Sequence, residues 1–149
     1  MKEYKSMLPE ITLTYKTGEQ KKVKITNAND ADELFRKLYD FDTLELNEKS
    51  IILFLNNANN TIGWLLLAIG GIQGCVIDSR LILATALKCN ATGIIISHNH
   101  PSGSVTPSEE DKKLTRKIKD ACHTLMIKLI DHVIITKDEF CSMANEGLL

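Results

Sequence analysis

Two histidines, a serine and an aspartate stand close together in the stretch 97–111, SHNHPSGSVTPSEED. His98 and His100 are two residues apart at the end of a short β-branched run, GIIIS at 93–97. Side chains two apart on a strand share a face, so both imidazoles point the same way and Asn99 points the other way. Pro101 biases His100 toward extended backbone, which keeps the two rings aligned. Two neutral imidazoles that meet one carboxylate form a three-ligand site suited to Zn²⁺, with a fourth position left for water.

Asp111 can supply that carboxylate. Residues 101–106 form a loop rich in Pro, Gly and Ser, after which Ser108 and Asp111 sit three apart at the start of a helix and share one face. Asp111 then reaches the metal while the Ser108 hydroxyl stands beside the water position. An acid and a hydroxyl in a first turn also suit the positive end of the helix dipole. A metal-bound water further needs a base to take its proton and return it to a leaving group. Glu48, just ahead of an apolar run, is the candidate; Glu45, Glu109 and Glu110 compete, and spacing does not separate them.

Each residue also has an ordinary reading. A pair of histidines at strand spacing is often surface or core polar structure, and Ser108 and Asp111 are the types usual at helix starts. Glu48 alone reads as a solvated strand flank. His132, in Asp131-His132, reads as a half-buried, satisfied histidine rather than a fourth ligand, and His123 as a solvent-facing helix residue. The coincidence of all the groups at one spacing lifts the metal site above these.

The elements that must position these groups are readable from periodicity. Ile11, Leu13 and Tyr15, then Val23 and Ile25, alternate around Gly18 and suggest a β-hairpin, so residues 1–26 are expected to be an accessory hairpin. Leu34, Phe35, Leu38 and Phe41 predict a helix over 30–41, with cap chemistry in Asn27-Ala28-Asn29-Asp30. The unbroken runs 51–55 and 62–69, joined by a turn at 56–60, predict strands covered on both faces. Gly70, Gly71 and Gly74 mark a bend, and Asp78 or Ser79 starts a helix through Leu87. Thr106 and Glu109 fit a capping box, with Pro107 in the first position of a helix running to about Leu125. A strand at 127–135, a turn at Lys137-Asp138, a short strand and a helical turn near 142–146 complete the chain. Strands alternate with helices, so residues 27–149 are expected to form one α/β domain with helices on both faces of a mixed sheet.

Composition narrows the function classes. The chain has 149 residues, 44% apolar and 25% charged, and a net charge of -1 from 18 basic and 19 acidic residues. This balance gives no general attraction to phosphate backbones or anionic membranes. Lys112, Lys113, Arg116, Lys117 and Lys119 are offset by Glu109, Glu110 and Asp120 and read as a solvated helix face. The opening MKEYKSMLPE has no apolar signal core, and the run at 62–69 is too short to span a bilayer. Cys75, Cys89, Cys122 and Cys141 form no C-x-x-C pair and read as reduced, buried small side chains of a cytoplasmic protein. The H-x-E and P-C-x-x-C elements of zinc nucleobase deaminases are missing.

With these residues placed, the sequence resembles the RadC-like branch of the JAB/MPN metalloprotease superfamily. That superfamily's JAMM signature is an upstream Glu, then H-x-H, seven residues, Ser, two residues and Asp. Here it reads Glu48, His98-Asn99-His100, residues 101–107, Ser108, Glu109-Glu110 and Asp111. HNHPSG, PSEED, DHVII at 131–135 and the ending EGLL resemble the RadC branch in particular, and matching runs cover roughly 45–149. The resemblance implies a three-layer α/β/α sandwich similar to cytidine deaminases. It also implies zinc on His98, His100 and Asp111, Glu48 as general acid/base, and Ser108 steadying an oxyanion. The implied substrate is a protein, a peptide or a small amide, with a non-catalytic scaffold or a DNA-repair-associated protein as the alternatives. Gly71, Leu81, Met143 and Asn145 depart from residues usual in the branch, all outside the metal signature. The helix-hairpin-helix region of longer RadC proteins has no counterpart in residues 1–44. Oligomeric state is not legible.

Overall fold

The computed structural model describes residues 9, 11–12, 14–16, 18–71 and 74–149. The first helix, α1, spans Ala28–Leu38, and Asn27 caps it by accepting from the amides of Asn29 and Asp30. It ends three residues earlier than the apolar spacing suggests. Tyr39 turns extended, and the Asp40 side chain starts a 3-10 turn at Phe41–Thr43. Strands β1 (Lys49–Leu55) and β2 (Thr61–Ile69) follow. After them come α2 (Ser79–Lys88), β3 (Gly93–Asn99) and α3 (Glu109–Thr124). The chain closes with β4 (Lys128–Ile135) and a short β5 (Phe140–Ser142).

The strand order is β2-β1-β3-β4-β5. Among the described residues only β3 and β4 are parallel, which requires a crossover, and α3 provides it. The sheet is therefore mixed, as expected. Because side chains alternate along each strand, β1 and β3 supply two separate cores. Ile51, Leu53, Leu55 and Ile95 pack with Ala31 and Phe35 of α1. Ile52, Phe54, Ile94 and Ile96 pack with Ile82 and Ala86 of α2 and Ile118 and Cys122 of α3. This is an α/β/α arrangement in three layers.

Two expectations are corrected. The run 62–69 is not covered on both faces: β2 is an edge strand, and Trp64 and Leu66 stay 52% and 42% exposed. Their register partners Leu53 and Ile51 lie under α1, but that core runs from β1 inward across β3 to β4 and leaves the edge strand uncovered. The helix α3 is capped by Ser108 and not by Thr106, so Pro107 lies outside it. The reciprocal bonds of Ser108 and Asp111 fix the start there. As for the hairpin expected at 11–25, Leu13 lies outside the described residues. Val23 and Ile25 pair with Thr61 and Asn59, at the turn joining β1 to β2. Among the described residues no helix is long and apolar enough to cross a membrane.

Candidate metal centre

Strand β3 extends two residues beyond the GIIIS run because it stays in register with β4 as far as Asn99 opposite Ile135. That extension carries His98 into the sheet, 1% exposed, with His100 just past the strand end. The loop then brings α3 back so that its first turn faces both rings. His98 Nε2 is 2.9 Å from His100 Nε2 and 3.2 Å from Asp111 Oδ1, and His100 Nε2 is 3.4 Å from Asp111 Oδ2. One ligand atom from each residue lies within 4.8 Å of the others, an arrangement able to hold a metal ion.

The donor set fits zinc. Bonds of ~2.0–2.1 Å at tetrahedral angles place ligand atoms about 3.3 Å apart, close to the spacings found. The chemistry of the rings agrees. His100 Nδ1 lies 2.7 Å from the Ser104 carbonyl, which can only accept, so Nδ1 carries the hydrogen and Nε2 of the neutral ring is bare. A bare nitrogen beside a second imidazole nitrogen and a carboxylate needs a shared cation. Without a metal a proton would serve, and the raised pKa of His100 reflects this: its hydrogen bond to Asp111 is the main cause. Burial pushes the Asp111 carboxyl up, but the neighbouring imidazoles of His100 and His98 outweigh it and hold the group well below the usual carboxylate range.

The cap of α3 orients this carboxylate. Asp111 Oδ2 accepts from the Ser108 amide at 2.8 Å, while Ser108 Oγ accepts from the Asp111 amide at 3.1 Å. Ser108 Oγ thus faces the same groove as the three ligands and keeps its own hydrogen free to donate. That groove, about 1060 Å³, is walled by Gly71, Cys75, Ile77, Glu110 and Leu114 and also contains Glu48. Of the four candidate acids, Glu48 and Glu110 line it. Glu45 pairs with Lys137 at 3.7 Å and Glu109 with Lys112 at 2.8 Å, both on exposed surface away from the groove. The charge of Glu48 contributes to the raised pKa of His100, as expected of a near neighbour. Burial, with the Glu48 charge second, pushes the Cys75 thiol up, so the thiol in this groove stays protonated at neutral pH.

Two residues that sequence reasoning left without a role turn out to support the site. Asn99 faces away from its histidine neighbours, and its amide holds the segment carrying Glu48. Nδ2 donates to the carbonyls of Leu44 (2.7 Å) and Asn47 (2.9 Å), and Oδ1 accepts from the Lys49 amide (2.7 Å). From the β2 side, the Glu48 carbonyl accepts from Gly70 and the Glu48 amide donates to Gly71. The other residue is His132, which is fully buried and not half-buried. Its Nε2 lies 2.7 Å from His98 Nδ1, and its Nδ1 lies 2.6 Å from Thr115 Oγ1. The period-two alternation of DHVII signals that His132 shares a face with Ile134, but only the pairing of β3 with β4 sets it against His98. His123 is exposed, as expected.

Comparison with known proteins agrees with this geometry. The RadC-like JAB domain family matches residues 25–148. A UPF0758 protein of Flavobacterium johnsoniae is 42% identical over 126 residues, covering 84% of this chain and 53% of that protein. One of Aquifex aeolicus is 35% identical over 142 residues, covering 95% of this chain and 59% of that protein. Another, of Haemophilus ducreyi, is 40% identical over 111 residues, covering 73% and 50% respectively. The chain thus spans roughly half the length of the curated relatives it matches. With its family match, its mixed α/β sheet and its His-His-Asp cluster, the chain belongs to the RadC-like JAB domain family.

Proposed function

We propose that this protein is a zinc-dependent hydrolase of the JAMM type that cleaves peptide, isopeptide or related amide bonds. The observation that carries the reading is the convergence of His98 Nε2, His100 Nε2 and an Asp111 carboxylate oxygen at spacings suited to one tetrahedral ion. In this reading those three residues hold zinc, which when bound acidifies a water molecule and polarises a carbonyl. Glu48 takes the proton of the attacking water and returns it to the leaving amine. Its backbone, fixed on one side by the Asn99-held segment and on the other by Gly70 and Gly71, limits where that carboxylate can swing. The Ser108 hydroxyl donates to the charge that develops on the carbonyl oxygen. The apolar side of the groove, Ile77 and Leu114, shields these groups from bulk water and gives an amide substrate a surface to rest on. The near-neutral charge of the chain favours protein, peptide or small amide substrates over nucleic acid.

The test starts with metal content. Protein purified without chelator should carry about one zinc per chain, and a panel of peptide and isopeptide substrates should reveal turnover. Glu48→Gln should keep the zinc and the fold and lose roughly 10²–10⁴-fold in turnover. Unchanged turnover would remove Glu48 from the mechanism. A fully folded, zinc-free protein would favour a non-catalytic scaffold instead.

A further inference from the structure

We propose that Thr115 and His132 form a positioning relay that locks His98 in the tautomer whose Nε2 lone pair, and not an N–H, faces the metal position. The proposal rests on the metal reading above and adds to it the roles of two side chains that touch no ligand atom.

The direction of the relay follows from its far end. Thr115 Oγ1 lies 2.7 Å from the backbone carbonyl of Asp111, one helical turn earlier on α3. A carbonyl oxygen accepts and never donates, so the hydroxyl must spend its single hydrogen there. The Met143 sulfur, at 3.6 Å, is the weaker alternative acceptor. The 2.6 Å contact between Thr115 Oγ1 and His132 Nδ1 then needs its hydrogen from the ring, so His132 carries Nδ1–H. His132 is fully buried, where an isolated positive charge is strongly disfavoured, so the ring is neutral. A neutral ring protonated at Nδ1 has a bare Nε2. The 2.7 Å contact from that atom to His98 Nδ1 must therefore be donated by His98. By the same rule His98 Nε2 is bare, and this is the atom 2.9 Å from His100 Nε2 and 3.2 Å from Asp111 Oδ1.

Run in reverse, the same three contacts would place an N–H of His98 at the metal position and abolish a ligand. The Asp111 carbonyl forbids that polarity by claiming the Thr115 hydrogen. The backbone of one ligand thereby sets the tautomer of another through two side chains. His100 reaches the same state more directly, through the Ser104 carbonyl. Groups that orient a ligating imidazole in this way ordinarily change metal affinity when removed.

The experiment has two arms. Long-range ¹H–¹⁵N correlation spectra of the wild-type protein, metal-free and zinc-loaded, report which ring nitrogen of His98 and of His132 bears hydrogen. Nδ1–H on both is expected, and Nε2–H on either overturns the relay. In the second arm, zinc affinity is measured by chelator competition for His132→Leu, His132→Gln, Thr115→Val and Thr115→Ser. The Leu and Val variants should bind roughly 10- to 100-fold more weakly. Gln keeps an acceptor for His98 and Ser keeps the hydroxyl, so those two should recover most of the loss. Wild-type affinity in folded His132→Leu and Thr115→Val proteins overturns the relay while leaving the metal site standing. If His132→Leu fails to fold, the Thr115 pair and the wild-type spectra still decide. A wild-type protein that takes up no zinc would sink the metal reading, and the metal-free spectrum would still report the tautomers.

Discussion

The amide of Ser108 donates to Asp111 Oδ2 at 2.8 Å, and the amide of Asp111 donates back to Ser108 Oγ at 3.1 Å. This reciprocal pair caps α3 and also aims a carboxylate at His98 and His100. Two of the helix's otherwise unpaired first-turn amides are satisfied by the side chains that the chemistry requires. If Asp111 is a metal ligand as proposed, stability and metal binding are coupled at these two positions, and substitutions separate them.

Asp111→Ala removes both a ligand and half of the cap. Zinc stoichiometry measured by elemental analysis should fall to near zero, and denaturant unfolding of the metal-free protein should show a loss of about 1 kcal/mol. Retention of one zinc per chain would show that the carboxylate is not a ligand.

Ser108 can be divided into its two roles. Glycine is tolerated as a helix cap at a cost of a few tenths of a kcal/mol, whereas alanine costs about 1 kcal/mol. Ser108→Gly should thus melt close to wild type, keep zinc, and still lose roughly 10²–10³-fold in turnover, the size of one missing oxyanion donor. Turnover equal to wild type would leave Ser108 as a cap alone.

Asn99→Leu should keep zinc yet loosen the Glu48 segment. The substitution leaves the Leu44 and Asn47 carbonyls and the Lys49 amide without their partner. Unpaired buried groups of this kind cost roughly 1–3 kcal/mol. Equilibrium unfolding should show that loss, and amide hydrogen exchange at Glu48 and Lys49 should quicken. Exchange as slow as in wild type would mean that Asn99 does not hold the segment.

Cys122 lies fully buried between α3 and the sheet, and burial pushes its thiol from the ordinary 9.0 up to about 11. A thiol whose pKa is raised on folding favours the folded state below its unfolded value. That contribution is lost as pH rises from about 9 through about 11. Iodoacetamide at pH 8 should therefore leave Cys122 unmodified in the native protein and label it after unfolding, as mass spectrometry would show. Rapid native labelling would contradict the packing of α3.

Much of the site is legible in the linear chain because it is built from short-range geometry. The strand period of two places His98 and His100 on one face, and the three-residue spacing of Ser108 and Asp111 fits one turn of helix. Each of those relations spans a few residues, so no tertiary information is needed to see it. The apolar runs likewise mark the strands, and alternation of strands with helices marks the layered α/β class. Where two local rules competed, local reasoning chose wrongly. Thr106 with Glu109 and Ser108 with Asp111 both spell a capping box, and the structure uses the second.

What the sequence by itself determined is the membership of the His98, His100 and Asp111 cluster and the kinds of element that carry it, since both follow from side-chain chemistry and backbone period. Only the tertiary structure decided that β2 is an edge, that Glu48 and not Glu45 or Glu109 lies in the groove, and that Asn99 and His132 serve the site. The physical reason is separation along the chain. Asn99 meets an amide 50 residues away and His98 meets a ring 34 residues away. Such contacts depend on how strands pair and which layer covers them, which no local pattern encodes.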